Sequence, residues 1–127
     1  KFIKIIVAGP RDFKNKNTVY NGISLVLQRL KETYGELNNL EIVQGGANGV
    51  DALALQYAQE NHIPYKTFNA DWNKYNRAAG PIRNEQMAKY GEVLIAFKNQ
   101  EHPTRGTENM IQTATKYNLK IFIVPIK

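Results

Sequence analysis

Residues 40–58 read LEIVQGGANGVDALALQYA. Leu40 to Val43 form a short apolar run, three glycines follow within five positions at 45, 46 and 49, and Val50, Leu53, Ala54, Tyr57 and Ala58 then recur at helical spacing. A buried strand, a tight connection and a half-buried helix are the parts of an α/β unit. Asn48 stands where a helix N-cap belongs, and Pro64 bounds the helix on its far side. Glycine loses more backbone entropy on folding than any other residue. Three together therefore imply an unusual turn or a group that must come close to the backbone.

The same alternation continues on both sides. FIKIIVA at 2–8 is a β-branched run ended by Gly9 and Pro10 and predicts a buried strand. From about Thr18 to Tyr34 a stripe of Ile23, Leu27, Leu30 and Tyr34 predicts a helix that stops at Gly35. YKTF at 65–68 is a weaker third strand, and NADWNKYNRAAG at 69–80 is a polar, aromatic loop. Pro81 opens the next helix, where its missing N–H costs least. EVLIAF at 92–97 is a fourth strand, a helix carries Met110, Ile111, Ala114 and Tyr117, and KIFIVPI at 120–126 is a fifth strand.

Short apolar strands alternating with helices require crossovers that return over the sheet, which favours parallel pairing. The expected fold class is α/β: a single Rossmann-like domain over residues 1–127, with a five-stranded, mainly parallel sheet in the order 3-2-1-4-5 and helices on both faces. A chain of 127 residues with 43% hydrophobic content is long enough for one well-covered core. No run approaches the roughly 18–20 apolar residues that a spanning helix needs, so no membrane partner and a soluble, cytoplasmic protein are expected. The chain has no cysteine, which excludes disulfides and thiolate metal sites. His62 and His102 form no metal-binding spacing, and neither a metal nor a cofactor is expected. The net charge of +6 is spread along the chain, with a small concentration at Arg11, Lys14 and Lys16. It is compatible with a solvated surface, a nucleotide partner or a polyanion.

In doubly wound sheets ligands lie beyond the carboxyl ends of the strands. Four segments should meet there: GPRD at 9–12, GGANGVD at 45–51, AGPIRNEQM at 79–87 and TRGTENM at 104–110. A glycine-rich turn before a helix can offer free amides to an anion, so Gly45, Gly46 and Gly49 suit a phosphate cradle. They equally suit a tight turn with close helix packing. The stretch is neither GxGxxG nor GxxxxGK[ST], which removes support for ordinary dehydrogenase and ATPase readings.

Taken in order, VAGPRDF, GGANGVDALA, ADW, AGPIRN followed by Met87, and RGT followed by NMI resemble the SLOG superfamily, from Val7 to Ala114. This is the Rossmann-like group that includes YspA-like and YpsA-related proteins, the LOG cytokinin-activating hydrolases and DprA, and the YspA-like branch is the nearest in pattern. The resemblance implies a pocket for a nucleotide or nucleotide-derived ligand and association into a homodimer or higher homo-oligomer through the helices flanking the sheet. Residues expected to bind the ligand are Gly9, Arg11, Gly45, Gly46, Gly49, Asp51, Trp72, Arg83, Asn84, Gly106 and Thr107.

The LOG hydrolases cut the bond between base and ribose-5-phosphate with an arginine of an R-N/K-x-x-M element and a glutamate after a PGGxGT loop. Arg83 with Met87 matches the first element. The second is altered: Arg105-Gly106-Thr107 lacks the double glycine, Glu108 follows directly, and Asn109 and Met110 stand where the hydrolases carry paired glutamates. Arg83 and Glu108 are the catalytic pair in that reading.

Several roles stay open from sequence. Arg83 suits a bidentate phosphate contact or a surface ion pair, and Arg11 a second contact or a solvated charge. Thr107 suits a helix cap or a phosphate ligand. Trp72 suits a base stack or a plug over the core. Asp51 suits a ribose hydroxyl or a cap on its own helix, and Glu85 and Glu108 suit first-turn acids favoured by the dipole. Three functions remain: a nucleotide-binding module, an N-glycosidase acting on nucleoside monophosphates, and, behind these, a DprA-like binder of single-stranded DNA.

Overall fold

The computed structural model describes residues 2–127, and its central strand is β1 (Phe2–Ala8). On one side β1 pairs with β2 (Asn39–Gln44), which pairs with the short edge strand β3 (Tyr65–Thr67); on the other it pairs with β4 (Val93–Asn99), which pairs with β5 (Lys120–Ile126). The order is 3-2-1-4-5, the Rossmann-like arrangement expected, and every pairing is parallel. Ile5 sits in register with Ile42 on one side and Val93 on the other, so the middle of the sheet is apolar across three strands.

Strand alternation divides the core into two layers. Ile3, Ile5 and Val7 face α1 (Lys16–Tyr34) and α2 (Val50–Glu60), whose Val19, Ile23, Val26, Leu30, Val50, Ala54 and Tyr57 complete that layer. Ile6 and Ala8 face α4 (Ala79–Tyr90) and α5 (Arg105–Lys116) through Met87, Ala88, Met110 and Ala114. Parallel strands buried on both faces read as near-continuous apolar runs, which is why β1 and β4 are so uniformly hydrophobic. Among the described residues no helix is long and apolar enough to cross a membrane.

Local details differ from the sequence expectations. α1 starts at Lys16 because the Asn15 side chain accepts the Thr18 amide, and its buried stripe runs through Val19, Ile23, Val26 and Leu30, leaving Tyr34 exposed. The stop at Gly35 is as expected, in a left-handed conformation with φ 80°. α2 is not capped by Asn48. Gly49 holds the cap position with φ 71°, and no side chain caps it. α4 begins at Ala79, so Pro81 is its third residue, still within the first turn whose amides have no intrahelical acceptor. The polar loop before α4 contains a short helix, α3 (Trp72–Tyr75), capped by Asp71, and a 3₁₀ turn at Asn76–Ala78.

Candidate functional site

All four predicted segments reach the carboxyl edge of the sheet. A cavity of about 470 Å³ is lined by Gly9, Arg11 and Asp12 after β1, Ala47 and Asp51 around the start of α2, Arg83, Asn84 and Met87 of α4, and Thr104 to Thr107 at the start of α5. Two further cavities open beside it and share Arg11 and Arg83. One, of about 300 Å³, adds Gly45, Gly46 and Trp72; the other, of about 760 Å³, adds Trp72, Arg77 and Asn109. Gly9, Arg11, Asp51, Arg83, Asn84, Gly106 and Thr107 thus line the first cavity, and Gly45, Gly46 and Trp72 its neighbour. Gly49 and Glu108 line none of the three.

The first three amides of the glycine-rich turn, at residues 45–47, are not left free for a ligand. Oδ2 of Asp51 accepts from the N–H groups of Gly45 and Ala47, both at 3.2 Å, and Oε1 of Gln44 accepts from Gly46 N–H at 2.7 Å. The protein itself satisfies these donors, as buried backbone groups require. The glycines are explained by close approach. A Cβ on Gly45 would run into the Arg83 guanidinium, and one on Gly46, at φ 75°, into Asn69. One on Gly49 would lie 2.5 Å from the backbone of Pro10 and Arg11, where the β1 loop crosses the start of α2. Val50 N–H, next in the chain, donates to Pro10 O at 3.2 Å and pins this crossing.

Asp51 therefore does not cap its own helix, and it stands on the wall of the first cavity. It is 7% exposed and closes the preceding loop. Burial is the main influence on its carboxyl group and raises its pKa from 3.8 to about 6, against the opposing pull of the Ala47 amide, Arg83, the Gly45 amide and Arg11. Arg83 is tied into the same structure: Nη1 donates to Gly45 O at 2.5 Å and Nε to Asn84 Oδ1 at 3.0 Å. Its pKa is lowered, first by burial and further by Arg11, with Asp51 acting the other way. Part of its fork is thus spent on the loop. Asn84 is buried and bridges to α5, donating from Nδ2 to Asn109 Oδ1 at 2.9 Å.

The start of α5 is the opposite case. The helix begins at Arg105 with Thr104 in the cap position, and no side chain caps it. Thr107 is buried in the first turn, its hydroxyl accepting from Thr104 Oγ1 at 2.8 Å, so it is not the cap residue. Among the described residues none accepts the amides of Arg105, Gly106 or Thr107. A Cβ on Gly106 would meet nothing within 4 Å, so neither packing nor a left-handed φ calls for glycine there. Free amides at a helix N-terminus with an open approach are what an anion requires.

Trp72 is 50% exposed, which rules out the core plug and leaves its ring on the cleft wall. Glu108 turns away from the cavity and pairs with Lys98 at 3.3 Å, and Glu85 pairs on the surface with Lys89 at 3.6 Å and Lys116 at 3.7 Å. Sequence reasoning missed Gln44, Arg77, Arg105 and Asn109. Gln44 had one usable signal, a polar residue ending an apolar strand, and Arg105 had its place in TRGTENM; Arg77 had none.

A family model described as the YspA, cpYpsA-related SLOG family matches residues 3–75. The "Gene 61 protein" of Mycobacterium phage D29 is 29% identical over 124 residues, covering 93% of both chains. Among solved structures, DNA processing protein A (DprA) from Streptococcus pneumoniae superposes on 99% of this chain with a TM-score of 0.70 at 20% identity. The chain spans about half of that protein, 51% of its length. The structure of TM1055 superposes on 94% of the chain and covers 72% of its own, with a TM-score of 0.63 at 18% identity. At these identities the two structures speak for the fold alone.

Proposed function

We propose that this chain, which belongs to the YspA, cpYpsA-related SLOG family, binds a nucleotide or nucleotide-derived molecule at the carboxyl edge of its sheet. The observation that carries this is the start of α5. Three amides without acceptors, an unobstructed Gly106 and the side chains of Arg11 and Arg105 border one cavity. A phosphate seated there receives backbone hydrogen bonds, the positive end of the helix dipole and guanidinium contacts together. Arg83 supports this seat from behind while holding the glycine-rich loop. The half-exposed face of Trp72 offers a stacking surface for a base beyond it.

The phosphate therefore sits on α5 rather than on the amides of residues 45–47, which are already used. Binding alone needs no further chemistry. Hydrolysis of an N-glycosidic bond would call for a carboxylate at the anomeric carbon or its water, and Glu108 is engaged with Lys98.

The test is a thermal-shift and calorimetric titration with AMP, run on the wild type and on Gly106→Val. A ligand at 100 times its Kd stabilises by about 2.7 kcal/mol. We expect stabilisation of the wild type and its loss in the variant, with the variant's own folding intact. Binding that is equal in both would remove the phosphate from α5. Release of free base from AMP by the wild type would turn the module into a hydrolase.

A further inference from the structure

The chain has five arginines, at 11, 29, 77, 83 and 105. Four of them, all but Arg29, line the 760 Å³ cavity on the Trp72 side of the cleft, and neither a lysine nor a carboxylate lines it. The wall is selective in residue type as well as in charge. Lysines outnumber arginines in the chain and are absent here, so the cleft collects the planar fork that grips phosphate bidentately and leaves out the point charge.

None of these guanidinium groups is held in an ion pair among the described residues, and Asp51 is the carboxylate that acts on Arg83 and Arg11. Among the described residues the ion pairs are all between lysine and glutamate, and no arginine enters one. Arg11, Arg77 and Arg105 are exposed side chains; only Arg83 is partly withdrawn, held by Gly45 and Asn84. Like charges gathered in one concave site repel one another until an anion arrives, and a cleft focuses their field on that anion.

A single phosphate on α5 uses only part of this charge. Arg11, Arg83 and Arg105 border the inner cavity where that phosphate sits, whereas Arg77 lines only the outer one. Arg77 belongs to the segment 71–78, which is exposed throughout and carries Trp72 at its start. Nothing in the packing of that segment calls for a cation at 77.

We propose that the outer cavity is a second anion subsite, with Arg77 as its own guanidinium and Arg105 shared with the inner one, and that the ligand carries two phosphoryl groups. The chemical class is a nucleoside diphosphate or a pyrophosphate-linked relative rather than a nucleoside monophosphate. The assignment rests on the nucleotide reading above and adds the number of phosphates and the residue that counts them.

The experiment is isothermal titration of the full chain with AMP and with ADP at one ionic strength, for the wild type and for Arg77→Ala. A parallel competition uses a 20-nucleotide single-stranded DNA, because a strand also presents successive phosphates. We expect ADP to bind the wild type at least tenfold more tightly than AMP, and Arg77→Ala to cut that preference below threefold. Because residue 77 is exposed, the substitution should leave the thermal midpoint in place; Arg77→Lys, which keeps the charge without the fork, should fall between. Equal affinities for AMP and ADP in the wild type overturn the second subsite while leaving nucleotide binding intact. A preference for ADP that survives Arg77→Ala overturns the role of that residue. If neither nucleotide binds, the underlying functional reading fails and the subsite with it. Displacement of ADP by the DNA at a tenfold lower concentration overturns the small-molecule class in favour of a strand.

Discussion

Replacing Asp51 by asparagine isolates the competition that sets the glycine-rich loop. The carboxylate is almost wholly buried, which favours its neutral form, while two loop amides and two arginines favour its charged form. Burial wins, and the pKa rises from 3.8 to about 6. Each pH unit between those values corresponds to about 1.36 kcal/mol, so the interval amounts to about 3 kcal/mol. The sign follows from proton counting. Between pH 4 and 6 the native state holds the Asp51 proton and the unfolded chain has released it, so folding stability drawn from this group is full below pH 4 and falls as pH rises through 6. Asparagine keeps an oxygen for the amides of Gly45 and Ala47 and does not titrate.

The assay is urea unfolding of both proteins from pH 3.5 to 7.5. Contributions from other carboxylates largely cancel in the difference between the two profiles. Wild-type stability should drop relative to Asp51→Asn by about 3 kcal/mol across that range, most of it between pH 4 and 6. A difference profile that stays flat, or that rises with pH, would falsify the view that burial outweighs the arginines and amides. In an Arg83→Ala background the drop should grow, since the guanidinium helps to hold the charged form.

Other substitutions probe the two kinds of glycine. Gly49→Ala forces a left-handed φ of 71° on a residue with a side chain and drives its Cβ against the Pro10 and Arg11 backbone; we expect a loss of about 1–3 kcal/mol in chemical denaturation. Gly106→Ala points into open space within a helix and should leave stability unchanged or raise it by up to about 1 kcal/mol, while AMP binding measured by calorimetry weakens. Phe97→Ala removes the largest fully buried side chain from the layer beneath α1 and α2 and should cost about 3–5 kcal/mol by the same denaturation measurement. Glu108→Gln breaks a partly exposed pair with Lys98 and should cost less than about 1 kcal/mol, with nucleotide affinity unchanged in a titration.

Much of the fold was legible because parallel α/β architecture writes itself locally. FIKIIVA and EVLIAF are apolar on both faces because helices cover both sides of the sheet, and the helix periods between them leave few topologies open. Element ends were less legible where a backbone contact decided them. Nothing in NGVD says that Gly49 rather than Asn48 caps α2, because the choice depends on the Pro10 carbonyl reached across the sheet edge.

For the site, the sequence by itself determined which segments reach the carboxyl edge, since parallel strands joined by helical crossovers carry the loops after β1 and β2, the start of α4 and the start of α5 to that side. Only the tertiary structure decided which of their amides are free. Asp51 and Gln44 consume the amides of residues 45–47 in the glycine-rich turn, whereas the first amides of α5 find no acceptor. Likewise, four arginines scattered from position 11 to 105 line one cavity. The physical reason is that hydrogen-bond satisfaction and charge density depend on distances between residues far apart in the chain, and a linear pattern carries periodicity without carrying those distances.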